Sequence, residues 1–141
     1  MTILRTIKEK CKKQKVLVSS CLTGLPHRYN GTPARQQLEK DLINYLGFIP
    51  IPVCPERLGG LPTPRDAAEI DKGDGYAVIS GNTEVKSKSG LIITLNFLQG
   101  AEATLKIARE SQSKLMITQR RSPSCSCSTI YDGSFTGKIS D

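Results

Sequence analysis

Short apolar runs that break off at small or polar residues alternate, along this chain, with longer stretches whose apolar residues recur every three or four positions. The first run, KVLVSSC (15–21), is β-branched at its centre and predicts a buried strand with Cys21 at its carboxyl end. A loop dense in turn formers follows, LTGLPHRYNGTP (22–33). In ARQQLEKDLINYLG (34–47) the period turns helical: Leu38, Leu42, Ile43 and Leu46 share a face, Pro33 suits the first turn and Gly47 the end. FIPIPVC (48–54) is a second apolar run, again with a cysteine, Cys54, in last place. Strand, helix and strand form a βαβ unit with parallel strands, so Cys21 and Cys54 fall on one edge of the sheet.

The stretch PERLGGLPTPRDAAEIDKGDG (55–75) reads as a long ordered loop over that edge. YAVIS (76–80) and GLIIT (90–94) predict a small hairpin or an edge extension. Thr94 is expected to cap a helix over 95–112, with Leu98, Ala101, Leu105 and Ala108 inward. KLMIT (114–118) then returns as a third core strand by a right-handed crossover, which puts Cys125 in a third loop at the same edge. The tail beyond Cys127 is turn-rich, a hairpin or loop. The expected fold is α/β: a single compact Rossmann-like domain over 15–141, with a mostly parallel sheet flanked by helices, preceded by a basic segment, 1–14. Open α/β sheets bind ligands beyond the carboxyl ends of their strands, and here three separate loops each bring one cysteine to that edge.

Composition narrows the class. With 141 residues, 38% hydrophobic and 23% charged, the chain has the makeup of an ordinary globular domain. No run approaches the roughly 18 apolar residues of a membrane span, and no apolar region follows the basic start MTILRTIKEKCKKQK as in a signal peptide, so a cytoplasmic protein is expected. The net charge of +7 is partly packed into residues 5–15, a solvated end or a handle for nucleic acid or anionic lipid. Three Phe, four Tyr and no Trp give no evident aromatic platform for stacking bases. Five cysteines are an odd count, and without a secretory signal they point to metal or catalysis rather than to disulfides.

Three thiolates make a soft site suited to zinc or to an iron–sulfur cluster. Structural zinc sites close with a fourth ligand and use tight spacings. Here the cysteines are 33 and 71 residues apart, the only close pair is Cys125 and Cys127, and the lone histidine, His27, is the available fourth ligand. A cluster on three cysteines leaves one iron open. Glu56, fixed by Pro55 two residues after Cys54, is a candidate general base. Ser122 and Ser124, flanking Pro123, are candidate donors to substrate or cluster sulfur. The loop RLGGLPTPR (57–65) offers backbone N–H groups, with Arg57 and Arg65 as anion binders. Cys11 has no convergent position. Taken singly, a core cysteine, a surface glutamate and a turn serine are all ordinary; the convergence of three cysteines is what favours a shared site.

The strings VLVSSCLTG (16–24), RYNG (28–31), VCPERLGGLPTPR (53–65), GAEATLKIA (100–108) and RSPSCS…IYDGSFTGK (121–138) resemble a family of small bacterial proteins that includes the thiouracil desulfidases. The resemblance runs through nearly the whole chain from residue 15. It implies a 4Fe–4S cluster on Cys21, Cys54 and Cys125, whose open iron acts as a Lewis acid toward the thiocarbonyl sulfur of a thiouracil. It further implies that Glu56 activates the attacking water, that Ser122 assists with Ser124 as second choice, and that Ser20 and Ser124 contact the substrate. The products are uracil and hydrosulfide, without net redox change. Four departures stand out: His27 where many relatives have cysteine, Ser126 where glycine usually follows SPSC, an additional Cys127, and no further helix after Gly137-Lys138. A tRNA sulfur-transfer enzyme and a non-catalytic metal-binding module are the competing expectations. The expected partner is a small thiolated nucleobase, with no membrane.

Overall fold

A computed structural model describes residues 14–140; residues 1–13 of the basic segment, Cys11 among them, lie outside the described residues. The first strand, β1 (Gln14–Ser19), is the centre of a three-stranded parallel sheet. It pairs on one side with β2 (Phe48–Val53), in register from Gln14↔Phe48 to Ser19↔Val53. On the other side it meets the short last strand, β5 (Met116–Ile117), through Leu17↔Met116 and Val18↔Ile117. Being central, β1 is the most buried strand of this sheet, with Val16, Leu17 and Val18 fully buried. Strand β2 carries Pro50 and Pro52, which an edge strand tolerates because its outer side needs no N–H donors. The parallel sheet expected from the three apolar runs is therefore present, with all three cysteine-bearing loops leaving its carboxyl edge.

The helix between β1 and β2 is shorter than its pattern predicts. Helix α1 spans only Lys40–Leu46, closed by Gly47 in the left-handed region. Residues 34–39 are not helical because their backbone is used elsewhere: Ala34 donates to the Cys21 carbonyl and Leu38 to that of Leu22, both at 2.9 Å. Pro33 therefore starts no helix, and of the four predicted face residues only Ile43 is fully buried while Leu42 is exposed.

The middle of the chain also departs from expectation. The stretch 55–75 is not all loop: α2 (Pro55–Leu58) begins directly after Cys54, and β3 (Ala68–Ile70) follows. Strand β3 pairs antiparallel with β4 (Val85–Ser87), and 90–94 extends this ribbon as expected, through an antiparallel bridge between Lys86 and Ile92, whereas 76–80 takes no part in it. Residues 75–79 form instead a short helix, α3 (Gly75–Ile79), because the Asp74 side chain accepts from the Ala77 N–H and caps it. Ala68, Ile70, Val78, Val85 and Phe97 make a second small core under this ribbon.

The long helix α4 (Thr94–Glu110) is present but rotated relative to its hydrophobic stripe. Thr94 does not cap it; its Oγ1 accepts from Val85 N at 2.9 Å and ties the helix to β4. Phe97 and Gly100 are buried, with Thr104 and Ile107 half-buried on the same side; of the expected inward residues Leu98 and Ala108 are half-buried, Leu98 against the second core, whereas Ala101 and Leu105 are exposed. The physical reason is a backbone contact at two glycines. A Cβ on Gly100 would lie 1.9 Å from the Pro55 carbonyl oxygen, and one on Gly59 would lie 1.9 Å from that of Asn96. Hydrophobicity patterns do not register such a contact, yet it seats α2, and with it Cys54 and Glu56, against α4. Asn96 adds a side-chain bond to the Gly59 carbonyl at 2.8 Å. Gly100→Ala should lower unfolding free energy by at least about 2 kcal/mol, the middle of the overpacking range, as read by denaturant unfolding of the purified variant. Among the described residues no helix is long and apolar enough to cross a membrane.

Candidate active site

Each cysteine is placed by a different local device. Strand β1 runs into a tight 3-10 turn (Ser20–Thr23) that holds Cys21 buried, and Gly24, at φ 90°, ends it. Cys54 is the residue from which α2 starts, with Pro55 supplying the helix's first position. The third loop is stitched to the first: Gln119 N donates to Ser19 Oγ at 3.0 Å, and a turn in which Ser126 N donates to the Ser122 carbonyl, 2.9 Å, presents Cys125. Ser126 keeps an ordinary backbone there, and its hydroxyl donates to the Thr129 carbonyl, so serine fills this position without strain.

Cys21, Cys54 and Cys125 all line one cavity of about 430 Å³, together with Ser20, His27, Glu56, Arg65, Ser122 and Ser124. The candidates outside this lining are Arg57, which donates to Thr63 Oγ1 at 3.3 Å, and Cys127, which is exposed. His27 has its Nδ1 2.8 Å from Ser20 Oγ, and its carbonyl oxygen accepts from the Cys54 thiol at 3.8 Å.

Glu56 is the best-anchored carboxylate of the site. Its side chain is 9% exposed, Oε2 accepts from Arg65 Nε at 2.6 Å, and Oε1 accepts from Ser124 Oγ at 2.9 Å. Ser122 Oγ lies 3.2 Å from Ser124 Oγ, so it is Ser124, not Ser122, that meets Glu56 directly. Arg65 also donates from Nη1 to the Pro62 carbonyl and Thr63 Oγ1 and from Nη2 to the His27 carbonyl. The backbone N–H groups of Leu58, Gly59, Gly60 and Leu61 bond carbonyls of residues 54–57. The expectation that this loop and Arg65 bind an external anion is therefore corrected: the anion that Arg65 holds is the protein's own glutamate. A buried carboxylate requires such a partner. Arg65→Ala should cost about 3 kcal/mol of stability, the low end for breaking a buried pair, measured by denaturant unfolding.

The electrostatics of the thiols favour a cationic group among them. Burial pushes the Cys21 thiol up to about 11, and the nearby Cys125 and Cys54 push the same way, against a smaller pull from Arg28. Burial also raises Cys125, although Ser19, Ser124 and Ser122 offer it hydrogen bonds. The imidazole of His27 is held below its ordinary range, by burial first and then by Arg57 and Arg65. The raised Cys21 and Cys125 thiols, one buried and one half-buried, are brought to the thiolate form most readily beside a cation. Among the described residues no three His, Cys, Asp or Glu side chains close on a point as the ligands of one metal ion would. A cluster, which takes one cysteine on each of several irons, spreads its ligands around a larger body, and the donor set of three soft sulfurs fits that group.

A family model described as 2-thiouracil desulfurase matches residues 16–141. The chain belongs to that family. Within the 2-thiouracil desulfurase family, it is 40% identical over 123 residues to the protein YbbK of Bacillus subtilis (strain 168), covering 87% of this chain and 80% of that one. It is also similar to the solved structure of the [4Fe-4S]-dependent thiouracil desulfidase TudS, with a TM-score of 0.74 and 34% identity over 91% of this chain and 78% of that chain. These matches agree with the resemblance carried by the sequence motifs and with the α/β architecture of this family member.

Sequence reasoning overlooked several residues that complete the desulfurase cavity. Ser19 is one, since a serine at a strand end carries no signal of its own. Tyr131 and Phe135 are others; they lie in the tail beyond Cys127, in a segment whose composition says only that the chain turns.

Proposed function

We propose that this chain is a [4Fe-4S]-dependent desulfidase that removes sulfur from thiouracil. The observation that carries the reading is the meeting of Cys21, Cys54, Cys125 and Glu56 on one cavity at the carboxyl edge of a parallel sheet. Cys21, Cys54 and Cys125 would hold the cluster. No fourth cysteine lines the cavity among the described residues, so one coordination position is left to substrate. When bound, the cluster supplies a Lewis acid toward the thiocarbonyl sulfur.

The chain's own residues handle the water. Ser124 already donates its proton to Glu56 Oε1, so its oxygen is free to accept one from a water molecule in the cavity. Glu56 takes up the proton that Ser124 passes on, while Arg65 keeps the carboxylate oriented. Ser122, bonded to Ser124, holds that hydroxyl in line. Water replaces sulfur at the ring carbon: a C–S double bond is lost, a C–O double bond forms, and the two protons of water leave with sulfide. No electron is gained or lost, and the organic product is uracil.

A second reading, action on a thiolated base within RNA, is supported by the basic residues Arg28, Lys88, Arg120 and Arg121 that line the same cavity. Anaerobic reconstitution with iron and sulfide, followed by assay of sulfide and uracil from 2-thiouracil and 4-thiouracil, tests the first reading. Turnover of free thiouracil is the expected result. Sulfide release only from thiolated tRNA, lost at high salt, would replace it with the second.

A further inference from the structure

The tail loop over residues 131–137 is fastened to the body by a buried carboxylate. Glu69, in β3, is only 7% exposed. Its cross-strand neighbour Lys86 gives its ammonium to Asp71 instead, at 3.3 Å. Glu69 Oε2 accepts two backbone N–H groups of the tail, from Gly133 at 2.9 Å and Phe135 at 3.0 Å. Burying a carboxylate is costly unless it is hydrogen-bonded, so the loop and Glu69 hold each other.

Two further features show that the loop is held in one shape. Gly133 has φ 90°, and a Cβ there would lie 2.3 Å from the Asp71 carbonyl oxygen and 2.5 Å from that of Ile70, so the backbones are in contact. Phe135 has φ 55°, a left-handed conformation that non-glycine residues seldom adopt without support. Asp132 N, donating to the Lys138 carbonyl at 3.1 Å, closes the base of the loop. The consequence is that Tyr131 and Phe135 line the cavity that holds the three cysteines and Glu56. Aromatic side chains are scarce in this chain, and two of its seven stand in this one loop.

We propose that Glu69 is a positioning residue for substrate: it clamps the tail loop so that Phe135, with Tyr131, covers a face of the planar pyrimidine ring. This rests on the desulfidase reading above. A flat heteroaromatic ring needs apolar cover on its faces and polar groups at its edges. Glu56 and the serines supply the edges, and the tail supplies the cover.

The test uses reconstituted protein carrying Glu69→Ala, Glu69→Gln, Phe135→Ala or Phe135→Tyr, with iron content, kcat and KM for thiouracil, and uracil binding by equilibrium dialysis. Glu69→Ala and Phe135→Ala should keep their iron, raise KM and weaken uracil binding by about tenfold, and lower kcat by less than that. Glu69→Gln, whose amide oxygen still accepts both N–H groups, and Phe135→Tyr, which keeps a ring, should rescue most of the loss in KM and uracil binding seen in the matching alanine variants. Phe135→Ala remains decisive if Glu69→Ala fails to fold. Wild-type turnover with unchanged KM and uracil binding in Phe135→Ala overturns the clamp alone. A reconstituted wild type that releases no sulfide from thiouracil overturns the desulfidase reading, and the clamp with it.

Discussion

Cys54→Ser, reconstituted anaerobically, is expected to fold and yet to lose its iron and its desulfidase activity together. Cys54 suits this test because, unlike Cys21, it is only half-buried, and it caps α2 through its backbone, so the helix and its glycine contact with α4 survive the change. A serine hydroxyl is a hard, weakly acidic donor and a poor replacement for a thiolate on iron. Changes merely outside a metal's ligand shell already cost about 10–100-fold in affinity, so loss of a ligand should lower iron content by at least about tenfold. Cys127→Ser is the matched control. Cys127 is close in sequence to Cys125 but exposed, with its sulfur 3.9 Å from Thr118 Oγ1 and outside the cavity lining. It should retain iron as the wild type does. Equal losses in the two variants, read by iron analysis and cluster absorbance, would contradict ligation by Cys21, Cys54 and Cys125.

The three strands and the edge they share were legible because a cysteine follows each apolar run, at once or after a short loop, and because crossover rules leave parallel strands no other arrangement. What was not legible depends on backbone contacts. Residues 34–39 have a helical pattern, but two of their N–H groups are taken by the turn around Cys21. The stripe on α4 names Ala101 and Leu105, while the inward face is set by Gly100 against Pro55. The helix at 75–79 follows from a cap, Asp74, that outweighs a β-branched composition. In the site, Glu56 was found from its neighbour Cys54, but its bond to Arg65 spans nine residues and its bond to Ser124 spans 68. No local pattern encodes contacts of that kind. They exist because α2, the loop after it and the third cysteine loop all end at the same sheet edge.

Those contacts define the second large effect. Glu56→Gln should preserve the cluster and lower kcat for thiouracil by at least about a hundredfold, the low end for a positioned general base. Glutamine keeps the size of the side chain, and its amide oxygen can still accept from Arg65 Nε, so the loops that Arg65 ties together should stay in place. The amide cannot take a proton from Ser124, however, and the route from water through that hydroxyl stops there. Iron content and cluster absorbance should therefore match the wild type, and thiouracil should still perturb the absorbance on binding. Ser124→Ala gives the comparison that orders the pair. If the proton passes through Ser124, the alanine variant should also fall well below the wild type, and adding it to Glu56→Gln should cost little more, since the two then serve one path. If Ser124→Ala turns over normally while Glu56→Gln does not, water reaches Glu56 directly. Wild-type turnover in Glu56→Gln would remove Glu56 from the chemistry and leave its buried pair with Arg65 as a purely structural tie.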